Sequence, residues 1–223
     1  MATSLGHLSN LRGGDDLKTT HTVVEEMAGW AKKQGMNEEE YLRWLLGRLD
    51  MPESVKDTIY GVPRSLHRSC NQKESIVQMT KWYEDMAAVR DALGICLFAV
   101  NYTSAIGHRL SSRLLSIYLG LPFSPEELVT AGERIINLMK AYNVREGLSR
   151  VDDEFPPRFY DEPLENGLTE GPVLSRDELD RLLGAYYTLR GWNVKTGHPT
   201  RKKLEDLGLR TVAEELSEKR LIE

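Results

Sequence analysis

Helix-start and helix-stop signals recur along this chain while the alternating pattern of a half-buried strand is nearly absent, and that imbalance restricts it to a mainly α fold. The clearest start is Ser124-Pro125-Glu126-Glu127, where Ser124 suits the N-cap, proline the first helical position, and Glu127 can reach back to the cap. The helix it opens is expected to bury Leu128, Ala131, Ile135, Leu138 and Tyr142 on one face. Ser175 with Glu178 opens another, with Leu179, Leu182, Tyr186 and Leu189 as its stripe and Gly191 as its stop. Two more helices are expected at Glu25 to Gln34 and Glu38 to Leu49, divided by Gly35, with Asn37 and Glu40 placed as a capping box for the second. Thr211 with Glu214 opens a short terminal helix. Between Val151 and Pro172, prolines and glycines interrupt any periodicity and indicate an irregular arm.

A chain of 223 residues with 40% apolar and 28% charged content can bury a sizeable core. Its 29 basic residues against 34 acidic ones give a net charge of -5, which argues against a generic nucleic-acid or anionic-membrane surface. No apolar run approaches the roughly 20 residues needed to span a bilayer, and the N-terminus lacks a basic segment followed by a hydrophobic one. These features lead us to expect a cytoplasmic protein. Two cysteines, Cys70 and Cys96, make no disulfide framework. His67 and Cys70 lie three residues apart, but no second pair at suitable spacing completes a zinc site.

The strongest local feature for chemistry is Asp91-Ala92-Leu93-Gly94-Ile95-Cys96. Upstream, Ile76, Met79, Tyr83, Met86, Ala87 and Val89 recur at helical spacing, so Glu74 to Leu93 reads as one helix stopped by Gly94. A carboxylate and a thiol are then held on one helix-terminal turn. Asp91 opposes the helix dipole there, and either exposure to water or hydrogen-bond donors from a ligand would compensate it. Cys96 is either a small packed thiol or a ligand.

The run Asp-x-x-Gly-Leu/Ile-Cys resembles the pterin-binding motif of the tungsten-containing aldehyde:ferredoxin oxidoreductase family. Further segments in the same order also resemble that family: Gly132-Glu133-Arg134-Ile135, Asn143 to Asp153, Leu189-Arg190-Gly191-Trp192, Gly197-His198-Pro199-Thr200 and, at the start, Asn10 to Lys18. The resemblance implies one α-helical domain over residues 1–223, similar to the family's C-terminal helical region. Within it we expect an N-terminal loop at 1–18 carrying part of a motif, an insertion at 37–70 and the arm at 151–174.

Carried over residue by residue, the resemblance assigns Asp91 to hydrogen bonds from the pterin, Ile95 to a backbone contact, and Lys18 to the pterin's phosphates. It makes Cys96 the last of four thiolate ligands of a 4Fe-4S cluster. The other three come from a Cys-x-x-Cys-x-x-x-Cys pattern absent from this chain. A partner polypeptide or further region carrying those cysteines is therefore implied, with ferredoxin as electron acceptor. Where the family loop places a histidine near the metal, this chain has Asp16, a carboxylate able to move protons only if its environment raises its pKa. Arg12 to Lys18 is otherwise a charged loop without a role. The implied cofactors are a tungstopterin or molybdopterin and the 4Fe-4S cluster.

Three functions remain open: part of an aldehyde-oxidising tungsten or molybdenum enzyme, incomplete alone; a subunit of a related tungsten enzyme such as a benzoyl-CoA reductase-like protein; or a cofactor-free interaction module. No Gly-x-Gly-x-x-Gly, Walker loop, Gly-x-Ser-x-Gly or His-Glu-x-x-His motif offers a different chemistry. Trp192 is expected to pack, and His21, His108 and His198 to be structural or solvated. The dense charge of Arg145, Arg150, Asp152 and Asp153 reads as a solvated face with local ion pairs, and the resemblance places it beside the family's substrate cavity.

Overall fold

The computed structural model describes residues 2–15, 18–19, 33–65, 72–97, 106–163 and 174–223. The helices run in chain order as α1 (Ala2–Ser9), α2 (Glu38–Arg48), α3 (Glu53–Tyr60), α4 (Lys73–Ala92), α5 (His108–Leu119) and α6 (Pro125–Arg145). After a 3-10 turn (Arg150–Asp152) come α7 (Arg158–Asp161), α8 (Arg176–Arg190), α9 (Arg201–Asp206) and α10 (Arg210–Glu218). Among the described residues there is no β-strand, only isolated bridges at Leu11–Gly13 and Trp192–Pro199.

Helix α4 is the axis of the fold. It packs against α1, α3, α6 and α8. A helix surrounded in this way cannot afford one polar face, and Ile76, Val77, Met79, Trp82, Ala87, Ala88 and Val89 are all buried around its circumference. Its crossing with α6 is set by Gly132, where a Cβ would stand 2.4 Å from the Asp85 carbonyl oxygen and 2.9 Å from Val89. A smaller cluster of Ala141, Val144, Leu204, Ala213 and Leu216 seats α9 and α10 on the far end of α6.

Local signals fix several boundaries. Both halves of the capping box form at Asn37/Glu40 and at Ser124/Glu127, Ser175 caps α8, and Gly191 ends it in a left-handed conformation. Elsewhere the structure differs from expectation. The segment expected as an N-terminal loop begins with α1, whose Leu5 and Leu8 are buried in the core. Helix α6 buries Leu128, Gly132, Ile136, Asn137, Lys140, Ala141 and Val144, while Leu138 and Tyr142 face outward. The close approach of α4 at Gly132 selects that face, so contact with a neighbour overrides the apolar stripe. Helix α10 starts two residues early, after Leu209, without a side-chain cap. Within the span 37–70, expected as an insertion, α2 forms where a helix was expected at Glu38 to Leu49, and α3 follows it. The helix expected at Glu25 to Gln34 lies largely outside the described residues, and Cys70, His67 and His21 lie wholly outside them.

Helix α5 gave no sequence signal of its own. Its N-terminus is capped from a distance: Asp50 accepts hydrogen bonds from the backbone N–H groups of Arg109 (3.0 Å) and Leu110 (3.2 Å) and from Arg109 Nε at 2.7 Å. Burial pushes the Asp50 carboxyl up, but these hydrogen bonds and the charges of His108 and Arg109 outweigh it and hold its pKa low.

Candidate functional site

Helix α4 ends in a Schellman turn. Gly94 N–H donates to the Asp91 carbonyl (3.1 Å), Ile95 N–H donates to the Arg90 carbonyl (3.0 Å), and Gly94 sits at φ 67°, where a side chain would be strained. The turn presents Asp91, Ile95 and Cys96 within one bend. Asp91 is exposed, and Cys96 is a free, exposed thiol rather than a packed one.

The turn meets the N-terminal segment. Lys18 Nζ forms an ion pair with Asp91, and Arg90 donates to the same carboxylate at 3.4 Å. Residues 72 positions apart or more in the chain thus converge at one point. The N-terminal segment is itself tied down: Ser9 donates to Glu84 at 2.7 Å, Asn143 of α6 donates to the Leu11 carbonyl at 2.8 Å, and Asn10 donates to the Asp15 carbonyl at 2.7 Å. Thr19 packs so closely on Gly6 that a Cβ there would overlap its hydroxyl. Asp16 lies outside the described residues, in sequence between this anchored loop and Lys18.

About two helical turns back along α4 from Asp91 lies a buried ionic network. Arg190, fully buried on α8, donates to Asp85 at 2.5 Å, to Glu84 at 2.6 Å and to the Tyr186 hydroxyl at 2.9 Å. Tyr186 donates to Glu84 at 2.5 Å, and Lys81 bridges Asp85 (2.8 Å) to Glu133 of α6 (3.2 Å). Burial pushes the Glu84 carboxyl up against the opposing pull of Arg190. The network joins α1, α4, α6 and α8, so the turn carrying Asp91 rests on a fixed frame.

On the other side of the anchored loop is a cleft of about 480 Å³. It is lined by the N-terminal segment from His7 to Gly14, by Lys140 and Asn143 of α6, and by Asp153, Phe155 and Phe159 among the residues that follow it. Lys18 follows Gly14 by four positions, a span of at most ~14 Å of chain. Lys140, buried on α6, donates to Asp153 at 3.0 Å, and its ammonium lies 5.2 Å from the Trp192 ring centroid. Tyr187 also donates to Asp153, and burial together with the Asp153 charge pushes the Tyr187 hydroxyl pKa far up. Sequence reasoning missed Lys140, whose signal was a lysine on the inward face of α6 once that face is known. Of the charged residues singled out, Arg145 pairs with Glu146 (3.1 Å) and Arg150 with Asp180, so both have local partners. Trp192 is buried and donates to Asn137 at 2.8 Å. His108 contacts Asp50, and His198 Nδ1 lies 2.7 Å from the Leu221 carbonyl oxygen.

The donor set at the α4 turn suits one edge of a pterin: a carboxylate for its N–H groups, a backbone turn beside it and an ammonium for its phosphates. It suits an iron-sulfur cluster only in part. Cys96 offers one thiolate where four are needed, and no group of three or more His, Cys, Asp or Glu side chains able to hold a metal occurs among the described residues. Among those residues no helix is long and apolar enough to cross a membrane.

Residues 2–209 match the family described as aldehyde ferredoxin oxidoreductase, domains 2 and 3. The tungsten-containing aldehyde ferredoxin oxidoreductase of Thermococcus kodakarensis is 37% identical over 158 residues, covering 70% of this chain and 24% of that protein. The protein of the same name from Pyrococcus furiosus is 35% identical over 134 residues, covering 60% of this chain and 21% of the other. Among solved structures, a chain of the active site complex BamBC of benzoyl coenzyme A reductase, bound to 1,5-dienoyl-CoA, superposes with a TM-score of 0.56 at 27% identity, covering 68% of this chain and 22% of that one. The chain thus spans about a quarter of the length of the curated relatives it matches.

Proposed function

Because this chain belongs to the aldehyde ferredoxin oxidoreductase family and matches its domains 2 and 3, we propose that it is the pterin- and cluster-facing part of a tungsten or molybdenum oxidoreductase. The observation that supports this most is the Schellman turn that sets Asp91, Ile95 and Cys96 in one bend with Lys18 against it. A tungstopterin bound there, with its neighbouring 4Fe-4S cluster, supplies the redox centre at which an aldehyde and water give a carboxylic acid, two protons and two electrons, the electrons passing to ferredoxin.

The chain's own residues bind and orient. Asp91 accepts hydrogen bonds from pterin N–H groups, Ile95 contributes its backbone, and Lys18 leaves Asp91 to meet the phosphates. Cys96, as thiolate, is the fourth cluster ligand. Asp16 holds or moves a proton at the substrate oxygen. Three cluster ligands and the remaining cofactor contacts come from a partner polypeptide or further region bearing the Cys-x-x-Cys-x-x-x-Cys pattern. The assembly works in the cytoplasm.

A second reading is consistent with the BamBC neighbour and is permitted by Asp16 standing at the position of the family's histidine: the same domain in a tungsten enzyme of the benzoyl-CoA reductase type. The test is aldehyde-dependent reduction of benzyl viologen by the anaerobically purified complex. Activity lost in Asp91→Asn supports aldehyde oxidation. Activity only with an aromatic acyl-CoA supports the second reading, and a complex inert to both with no metal leaves an interaction module.

A further inference from the structure

The ion pair between Lys18 and Asp91 sets two tasks of the proposed site against each other. Asp91 is assigned to pterin N–H groups and Lys18 to the phosphates, yet the ammonium sits on the carboxylate. Lys18 meets Asp91 at Oδ2, and Arg90 lies 3.4 Å from Oδ1, so each carboxylate oxygen already has a cationic donor. Two neutral N–H groups on one edge of a flat ring hold a carboxylate by meeting both oxygens side by side. An ammonium on one of those oxygens is the stronger, charge-assisted competitor. The contact can still be exchanged, because the Asp91 side chain is 47% exposed and pairs at such a surface are weak.

This pair differs from two long side chains meeting in solvent. In the surface pair Arg43–Glu39 the side chains are 75% and 82% exposed, whereas Lys18 is only 19% exposed. The described chain on either side of Lys18 is held. Asn10 donates to the Asp15 carbonyl at 2.7 Å, Asn143 donates to the Leu11 carbonyl at 2.8 Å, and Thr19 is buried against Gly6 with no room for a Cβ between them. The backbone thus brings Lys18 to Asp91, and its flexible four-carbon stem lets the ammonium pass from one anion to another.

We infer that Lys18 is a two-position latch that reserves the Asp91 contact for a pterin bearing a phosphate. A bare pterin has to displace the ammonium from Asp91 and offers it nothing in exchange. A phosphorylated pterin supplies an anion of higher charge that takes the ammonium over, so the movement that releases Asp91 also forms the phosphate contact. The inference rests on the pterin reading of the site and adds to it a selection step performed by one side chain.

Binding of 6-hydroxymethylpterin and of its phosphate monoester to the full chain is measured by pterin fluorescence, for wild type, Lys18→Met and Lys18→Arg, at low and at high salt. Lys18→Met is expected to bind the bare pterin about fivefold more tightly, the equivalent of a surface ion pair of ~1 kcal/mol. It is expected to bind the phosphorylated pterin about tenfold more weakly, the scale of one hydrogen bond to a charged group. A general loss of structure moves both affinities the same way, whereas the latch moves them in opposite directions. Lys18→Arg keeps the wild-type order. In wild type, added salt screens the pair and strengthens binding of the bare pterin, which reads the latch without any substitution, and Lys18→Met abolishes that response. An unchanged or weaker affinity of Lys18→Met for the bare pterin, an undiminished affinity for the phosphorylated one, or wild-type binding of the bare pterin that weakens with salt overturns the inference. Binding of neither pterin by a chain whose native complex holds pterin overturns the latch and leaves the oxidoreductase reading standing. A native complex devoid of pterin overturns that reading, whatever the isolated chain selects.

Discussion

Replacing Arg190 by methionine tests the frame on which the candidate site rests. The guanidinium is fully buried and serves Asp85, Glu84 and Tyr186 at 2.5, 2.6 and 2.9 Å. Methionine fills much of the volume but leaves two buried carboxylates short of a cation. Breaking one side of a buried ion pair costs about 3–5 kcal/mol. Asp85 keeps Lys81, and Glu84 keeps the hydroxyls of Ser9 and Tyr186, so the lower end applies, about 3 kcal/mol. For a chain of this length that corresponds to a fall in Tm of roughly 6–12 °C. The pH dependence follows from Glu84. Burial already raises its carboxyl pKa against Arg190, and without Arg190 it rises further. A carboxyl with a raised folded pKa contributes stability that is present below the unfolded value and lost as pH rises through the folded one. The penalty of Arg190→Met is therefore larger at pH 8 than at pH 5. Urea unfolding followed by circular dichroism at both values measures it, and a loss below about 1 kcal/mol, or one independent of pH, would refute the reasoning.

Gly132→Ala drives a methyl group into the Asp85 carbonyl across the α4–α6 crossing and is expected to cost about 1–3 kcal/mol in the same urea assay. Asp50→Asn removes a carboxyl held low by Arg109 and the α5 N-terminus. A depressed carboxyl contributes stability above its unfolded pKa and loses it as pH falls, so the Tm gap between wild type and Asp50→Asn is widest at neutral pH and closes toward pH 3. Lys18→Met breaks a partly exposed ion pair and changes stability by less than about 1 kcal/mol. If Lys18 meets the cofactor's phosphates, the same variant sharply lowers the pterin retained by the complex, measured by fluorescence of the oxidised pterin.

What could be read from the sequence was local. The boxes at Asn37/Glu40 and Ser124/Glu127 and the stops at Gly94 and Gly191 depend on neighbours within a few residues, and each forms. The α4 turn belongs to the same class, which is why Asp91 and Cys96 could be placed on one turn from spacing, while the part of Ile95 came from the family resemblance. Long-range pairing could not be read. Asp50 capping α5 spans 59 residues, and Arg190 with Asp85 spans 105, with no periodicity to announce either. The face of α6 failed for a related reason. Gly132 admits α4, and that contact turns Asn137 and Lys140 inward while Leu138 and Tyr142 turn out. A hydrophobic stripe records average burial, whereas the actual face follows the neighbour that approaches closest.

The most direct measurement is of tungsten, molybdenum, iron and pterin in this chain purified anaerobically from its native host, with every co-purifying polypeptide identified, for wild type and Cys96→Ser. The expected result is a complex with a cysteine-rich partner that holds tungsten or molybdenum with pterin and about four irons, and loses iron in Cys96→Ser. A metal-free chain without such a partner, or an iron content indifferent to Cys96→Ser, would contradict the account.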